Sequence, residues 1–357
     1  MGGLFKDILG SNESLFKNDV ALDYSFIPKL VPYREKEQRV IAGCIKPLFG
    51  QKSGRNAFVY GQPGVGKTVA LNKVLQELEE ETDEIIPIYI NCWQRNTTYQ
   101  IVVEICDKMG LKFIQNKRTE ELFRWIKQNL SKKSVVFVFD EVDKLQEMDF
   151  LYMILEEIYR KSVILITNYK EWILNLEDRI KSRLMPEMIA FSPYNLEETK
   201  GILRERVAYA FHPGVMSDDA FELIAKKAFE LQDIRTGLHL MKESGLIAEN
   251  KSSRKILLEH AQQALDKINE FTIKNPQQLE TDEQMILDIV RANSGKRIGD
   301  LHRIYQNSGG KLVYKSFQRK IDKLEKSKFV IVEKTEGGED GNTTIVKSAS
   351  EKKLTDF

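Results

Sequence analysis

Gly61-Gln62-Pro63-Gly64-Val65-Gly66-Lys67-Thr68 follows G-x-x-x-x-G-K-[ST], the spacing of a loop that wraps phosphate. Glycines at these positions let successive backbone N–H groups turn inward without Cβ clashes. The lysine is the natural partner of the β- and γ-phosphates, and the Thr68 hydroxyl is a ligand for Mg²⁺. Such a loop works only between a strand and a helix, whose first turn adds unpaired N–H donors and the positive end of the dipole. Both are present. Ala57-Phe58-Val59-Tyr60 reads as a short strand, and Val69 opens a stretch in which Leu71, Val74, Leu75 and Leu78 recur at helical spacing. The nucleotide-binding set is therefore expected to include Gly61, Pro63, Gly64, Val65, Gly66, Lys67, Thr68 and Val69, with ATP or ADP and Mg²⁺ as ligands.

Val135-Val136-Phe137-Val138-Phe139 is a strand buried on both faces, and it delivers Asp140 and Glu141 at its carboxyl end, where α/β sheets bind ligands. Asp140 is placed to complete the metal shell with Thr68, and Glu141 to orient and deprotonate a water; the bland alternative is a strand ending in acidic turn residues. A third buried run, Val163-Ile164-Leu165-Ile166, leads to Thr167-Asn168. Asn168 either touches the γ-phosphate or its attacking water, or closes a turn. Arg179 and Arg183 lie four apart on one helix face. Either could reach a neighbouring subunit's phosphate as a finger, or pair with Glu177 or Asp178 at the surface.

Beyond Phe191-Ser192-Pro193-Tyr194 the strands stop and helices take over, beginning with Asn195 and a capping-box Glu198. Polar Asn275-Pro276-Gln277-Gln278 ends this region. Three more helices follow. Then Phe329-Val330-Ile331-Val332 and Thr343-Thr344-Ile345-Val346 flank a Gly-rich turn, Gly337 to Gly341. Three helices and a hairpin make a winged-helix module. Between Lys296 and Lys328 ten basic residues face three acidic ones, a local net charge of +7 in a chain whose total is +1. That is the electrostatic footprint of a DNA contact, with Lys311, Lys315, Arg319 and Lys320 on or beside the third helix; a protein-docking winged helix is the alternative. The stretch from Gln94 to Arg118 is polar, then helical, and scattered with basic residues including Arg95.

The bulk numbers fit this organisation. The 357 residues are 42% hydrophobic and 30% charged, which suits two or three domains. Cys44, Cys92 and Cys106 form no C-x-x-C pair and read as reduced thiols. No apolar run approaches a membrane span. Met1-Gly2-Gly3-Leu4-Phe5-Lys6 is neither a signal peptide nor a myristoylation site, so a cytoplasmic location is expected.

In their order along the chain, the phosphate loop, Val135–Glu141, Asn168, the Arg179/Arg183 segment and Asp233-Ile234-Arg235 resemble the AAA+ ATPases. Pro32-Tyr33-Arg34-Glu35, Tyr89-Ile90-Asn91-Cys92, Phe191-Ser192-Pro193-Tyr194 and the winged helix narrow the resemblance to archaeal origin-recognition and cell-division-cycle-type replication initiators, over about Phe26 to Ser348. The resemblance implies an α/β AAA+ core with a parallel sheet (26–192), an all-helical lid (193–275) and a C-terminal winged-helix domain (276–348); on either side of it, the mixed residues before Phe26, which lack a sustained period, read as a flexible arm (1–25) and the tail after Ser348 as a disordered tail (349–357). It implies Asn168 as first sensor, Arg235 as second sensor on the lid, Arg183 before Arg179 as finger, Tyr194 beside the nucleotide, and the Gln94–Arg118 insertion with Arg95 on duplex DNA. The segment reads Gln232-Asp233 where the family often has Gly-Asp. The implied function is an ATP-dependent initiator with slow hydrolysis that binds double-stranded origin DNA, self-associates there and helps load the replicative helicase. The competing expectation is a sequence-specific regulator or plasmid/transposon maintenance ATPase with ATP as a structural ligand.

Overall fold

The structure, a computed structural model, describes residues 14–112, 114–272, 281–310, 312–326, 329–335 and 343–348. The Gly337–Gly341 turn, Lys311 and the segment after Ser348 lie outside these residues. Two compact units divide between Leu265 and Asp266, earlier than the polar linker near 276. The division falls inside a continuous helix, Leu258–Thr272.

In the first unit a five-stranded parallel sheet has the order β2-β3-β4-β1-β5. The strands are β1 (Ala57–Tyr60), β2 (Ile85–Asn91), β3 (Ser134–Asp140), β4 (Lys161–Thr167) and β5 (Glu187–Ala190). Every residue of β3 is buried. Its alternation divides the core: Val135, Phe137 and Phe139 face a cluster completed by α3 (Thr98–Lys108), α4 (Thr119–Leu130), α5 (Asp149–Glu157) and α6 (Asp178–Leu184). Val136 and Val138 face α1 (Glu35–Ile45) and α2 (Lys67–Glu81). Each such buried Val or Phe contributes roughly 1.5–3 kcal/mol, which makes β3 the rigid floor of whatever its end presents. The periodicity extends α1 to Phe49, but Pro47 cannot donate the N–H a helix needs, and Lys46–Gly50 tightens into a 3-10 turn.

The lid comprises α7 (Leu196–Ala210), α8 (Asp218–Glu230), α9 (Ile234–Asn250) and α10 (Leu258–Thr272). The capping box forms as expected: Glu198 N donates to Asn195 Oδ1 and Asn195 N to Glu198 Oε2, both at 2.9 Å. The chain before Ser25, expected to be a loose arm, is held from Ser14 onward. Ser14 Oγ and the Leu15 N–H donate to Glu249 on α9 at 2.7 and 2.8 Å. Phe16 bridges to Phe211 in antiparallel fashion, and Leu15, Ala21 and Leu22 are buried. The anchors lie about two hundred positions away, where local periodicity carries no signal.

The second unit carries α11 (Thr281–Ala292), α12 (Ile298–Asn307) and α13 (Tyr314–Lys326), with the hairpin β7 (Val330–Thr335) and β8 (Thr343–Ser348). A two-residue strand, β6 (Lys296–Arg297), joins β8 as a third, antiparallel strand. Leu301, Tyr305, Phe317 and Ile321 are completely buried at its centre, the three-helix and hairpin core read from the sequence.

Candidate functional site

The carboxyl ends of β1, β3 and β4 meet the start of α2 and the lid around a cavity of about 360 Å³, a size suited to a small molecule. Gly64 and Gly66 take φ of 79° and 85°, the left-handed region glycine favours. Close approach also demands them: a Cβ on Gly64 would meet Asp233 Oδ1 at 2.1 Å, and one on Gly66 would meet the Tyr194 hydroxyl at 2.6 Å. The phosphate loop is thus packed directly under the lid.

Lys67 Nζ donates to Gly61 O (2.7 Å), Gln62 O (2.9 Å) and Asn168 Oδ1 (2.8 Å). Burial pushes its pKa down to about 8, against the attraction of Asp140, and Arg235 lowers it further. Thr68 Oγ1 and the Tyr89 hydroxyl both donate to Asp140 Oδ2, at 2.7 and 2.8 Å, so the expected pair of metal ligands is in contact. Among the described residues no group of three or more His, Cys, Asp or Glu side chains could cage a metal. Two oxygens on one edge of the cavity instead fit Mg²⁺, which keeps most of its shell for phosphate and water.

Glu141 sits in a left-handed conformation, φ 57°. Its carboxyl is held above the ordinary range by burial, then by Asp140 and Asp143; Arg235 and a hydrogen bond with Asn91 work the other way. Arg235 opens α9, its N–H capped by Asp233 Oδ1 at 2.8 Å, and lines the cavity with Asn168, Glu141 and Tyr194. Gln232, standing where glycine is frequent, adopts φ 52°, and the backbone turn is made without glycine.

Other expected residues fall outside this cavity. Arg183 donates to Glu156 and lies over the Tyr152 ring at 5.0 Å. Arg179 pairs with Asp149 at 3.1 Å and also with Glu177, one of its expected surface partners. Neither lines their own chain's cavity. Arg95 is paired with Glu104 at 3.0 Å on an exposed face. On α13, Lys315 and Arg319 are exposed, whereas Lys320 turns toward α11 and donates to the buried Glu283 at 2.9 Å.

Two groups of site residues carry no signal in the phosphate-loop pattern. Arg34, only 5% exposed, donates from Nε to Val65 O (3.1 Å) and Tyr194 Oη (3.0 Å) and from Nη2 to Ser192 O (2.6 Å). Its guanidinium lies 3.9 Å from the Tyr194 ring centroid. It ties the loop to the entry of the lid. The segment 24–32 supplies apolar lining, Ile27, Pro28, Val31 and Pro32, which joins Ile202 and Leu238 of the lid around the cavity. Among the described residues no helix is long and apolar enough to cross a membrane.

Residues 51–170 match the model of an AAA domain, and residues 200–266 that of a Cdc6 AAA+ ATPase-type lid domain. The chain is 30% identical to "ORC1-type DNA replication protein 2" of Methanothermobacter thermautotrophicus, covering 96% of this chain and 94% of the relative. It is 28% identical to "ORC1-type DNA replication protein 1" of Sulfurisphaera tokodaii, covering 99% and 98%. The structure is similar to that of the Aeropyrum pernix ORC1 protein in complex with DNA, at a TM-score of 0.71 and 26% identity over 96% of this chain and 95% of that one.

Proposed function

The chain belongs to the family of ORC1-type DNA replication proteins, and from that premise we propose that it is a nucleotide-switched replication initiator that binds origin duplex DNA, hydrolyses ATP slowly and helps recruit the replicative helicase. The observation that carries the reading is the convergence on one cavity of Lys67, the Thr68–Asp140 pair, Glu141 and Asn168 from the core with Arg235 from the lid. A triphosphate there touches both halves of the first unit, so its hydrolysis changes what holds them together.

Each residue has a separate task. The Gly64–Thr68 N–H groups and Lys67 bind the phosphates. Thr68 and Asp140 would hold Mg²⁺, which neutralises phosphate charge. Glu141 takes the proton of the attacking water, and its raised pKa brings it nearer neutrality, where a base works best. Asn168 and Arg235 read the γ-phosphate. Arg183, with Arg179 behind it, stands outside its own site and would reach a neighbouring copy's phosphate on exchanging its partner Glu156. The apolar wall of segment 24–32 faces the base. DNA contact falls to Lys315 and Arg319 on α13 and to the insertion around Arg95. A chain with these tasks works in the cytoplasm beside the chromosome.

The test pairs chemistry with location. Glu141→Gln is expected to keep nucleotide affinity and lose turnover by at least about a hundredfold, and nuclease footprinting with the wild type is expected to protect a replication origin. Unchanged turnover removes Glu141 as the base. Protection confined to promoters or transposon ends removes the initiator role.

A further inference from the structure

β3 and β4 form a ladder whose last paired residues are Phe139 and Leu165. Past that point β3 turns away: Asp140 O accepts from Cys92 N at 2.8 Å, on the side of β2, and β4 stays with β1 as far as Tyr60 and Thr167. Asp140 and Glu141 after β3 and Thr167 and Asn168 after β4 line the same cavity, and the crevice between these two ends is not closed by backbone pairing. Backbone pairing therefore does not set the distance between the turn carrying Glu141 and the turn carrying Asn168.

A side-chain bond spans the gap. After Glu141 the chain makes a 3-10 turn, Val142–Lys144, which carries Asp143 back across the crevice. Asp143 Oδ1 accepts from Thr167 Oγ1 at 3.0 Å, and Thr167 is 1% exposed. The same hydroxyl accepts from the N–H of Tyr169 at 3.2 Å, so it grips both flanks of Asn168. Asp143 is itself nearly buried, at 6% side-chain exposure, with the Lys144 ammonium 3.0 Å from its other oxygen. A buried carboxylate that accepts a hydroxyl proton makes a stronger, better directed bond than a neutral acceptor.

We infer that Asp143 and Thr167 are positioning residues for ATP hydrolysis: their hydrogen bond across the crevice holds the Asn168 turn at its working distance from Glu141. Neither lies in the phosphate loop, and the task differs from holding metal or abstracting a proton. Both act through Asn168, so the inference rests on the γ-phosphate role proposed above for that residue.

The experiment measures single-turnover ATP hydrolysis and, separately, affinity for a fluorescent ATP analogue, in the full chain. Thr167→Val keeps the shape and removes the hydroxyl. It is expected to lower the hydrolysis rate about tenfold, the size of one lost charge-assisted hydrogen bond, with affinity changed less than about threefold. Asp143→Ala is expected to match it. The double substitution is expected to be no worse than either alone, because both remove one bond. Thr167→Ser, which keeps the donor, is expected to restore most of the rate, and Asp143→Asn, which keeps an acceptor without the charge, part of it; a general loss of packing would not discriminate in this way. Asn168→Ala is the reference. If it lowers the rate while Thr167→Val does not, the positioning role is wrong and the sensor reading stands. If Asn168→Ala leaves the rate intact, the sensor reading fails and takes the positioning role with it. Multiplying losses in the double variant also overturn the inference, since the two residues would then act separately.

Discussion

Lys67 is a cation only 8% exposed, and its three acceptors are two carbonyls and an amide rather than a carboxylate. Without phosphates its charge is expensive, which is why its pKa falls from 10.5 to about 8. The direction of the stability effect follows. Below pH 8 folded and unfolded chains both carry this proton, and the burden of burying it is present in full. Between about 8 and 10.5 the folded lysine has lost its proton while the unfolded one keeps it, so this group's contribution rises with pH through that window. Bound phosphate reverses the preference by supplying negative charge. ADP binding near pH 8.5 is therefore expected to take up a proton, and binding at pH 6.5 is not. Titration calorimetry in buffers of different ionisation enthalpy measures it directly. Equal uptake at both pH values, or none at either, contradicts a lysine tuned by burial. The meeting of Lys67, Thr68, Asp140 and Glu141 at one cavity was legible in the sequence because the loop and the strand end impose backbone-level requirements at fixed spacing. Arg34 was not legible as a site residue: its partners Val65, Ser192 and Tyr194 come together only in the fold.

The elements divide along the same line. Strands β1, β3 and β4 announce themselves because burial on both faces requires continuous apolar runs. β5 does not: it is an edge strand, exposed at Glu187, Met188 and Ala190, and it exists because its backbone pairs with β1. Helix α13 shows how composition hides a division of labour. Its basic residues look alike in sequence, but Lys320 and Lys323 approach Glu283 at 2.9 and 2.6 Å, and Glu283 is 2% exposed. A carboxylate this buried needs its cations. Lys320→Ala is thus expected to lower the stability of the second unit by about 1–2 kcal/mol, Lys323 remaining as a partner, and to leave the salt dependence of DNA binding nearly unchanged. Arg319→Ala, at an exposed position, is expected to do the reverse, lowering the slope of log affinity against log salt by about one without moving the melting temperature. Thermal unfolding and DNA titrations at several salt concentrations read both. If Lys320→Ala gives the larger change in salt slope, the assignment of the two residues is inverted.

At the scale of the whole first unit, the N-terminal segment, the core and the lid all line one cavity. The segment has few buried side chains of its own and depends on anchors in the lid. The chief one is Arg206 on α7, 7% exposed, which donates to Ala21 O at 3.2 Å and Phe26 O at 3.3 Å and lies over the Phe26 ring at 4.9 Å. From there the chain runs on to Ile27, Pro28, Val31 and Pro32 at the cavity wall. If nucleotide rests on this wall as proposed, segment docking and nucleotide binding strengthen each other by the same factor. Arg206→Ala leaves two carbonyls without their donor and removes the stacked cation. It is expected to weaken ADP binding about tenfold, through the loosened segment and through the loss of Arg206 itself from the cavity lining. Reciprocally, ADP is expected to slow tryptic cleavage at the exposed Lys17 and Lys29 in the wild type, and to protect these sites less in Arg206→Ala at equal nucleotide concentration. Cleavage indifferent to ADP, together with wild-type affinity in the variant, would mean that the segment is a passive wrapping and that nucleotide is held by core and lid alone.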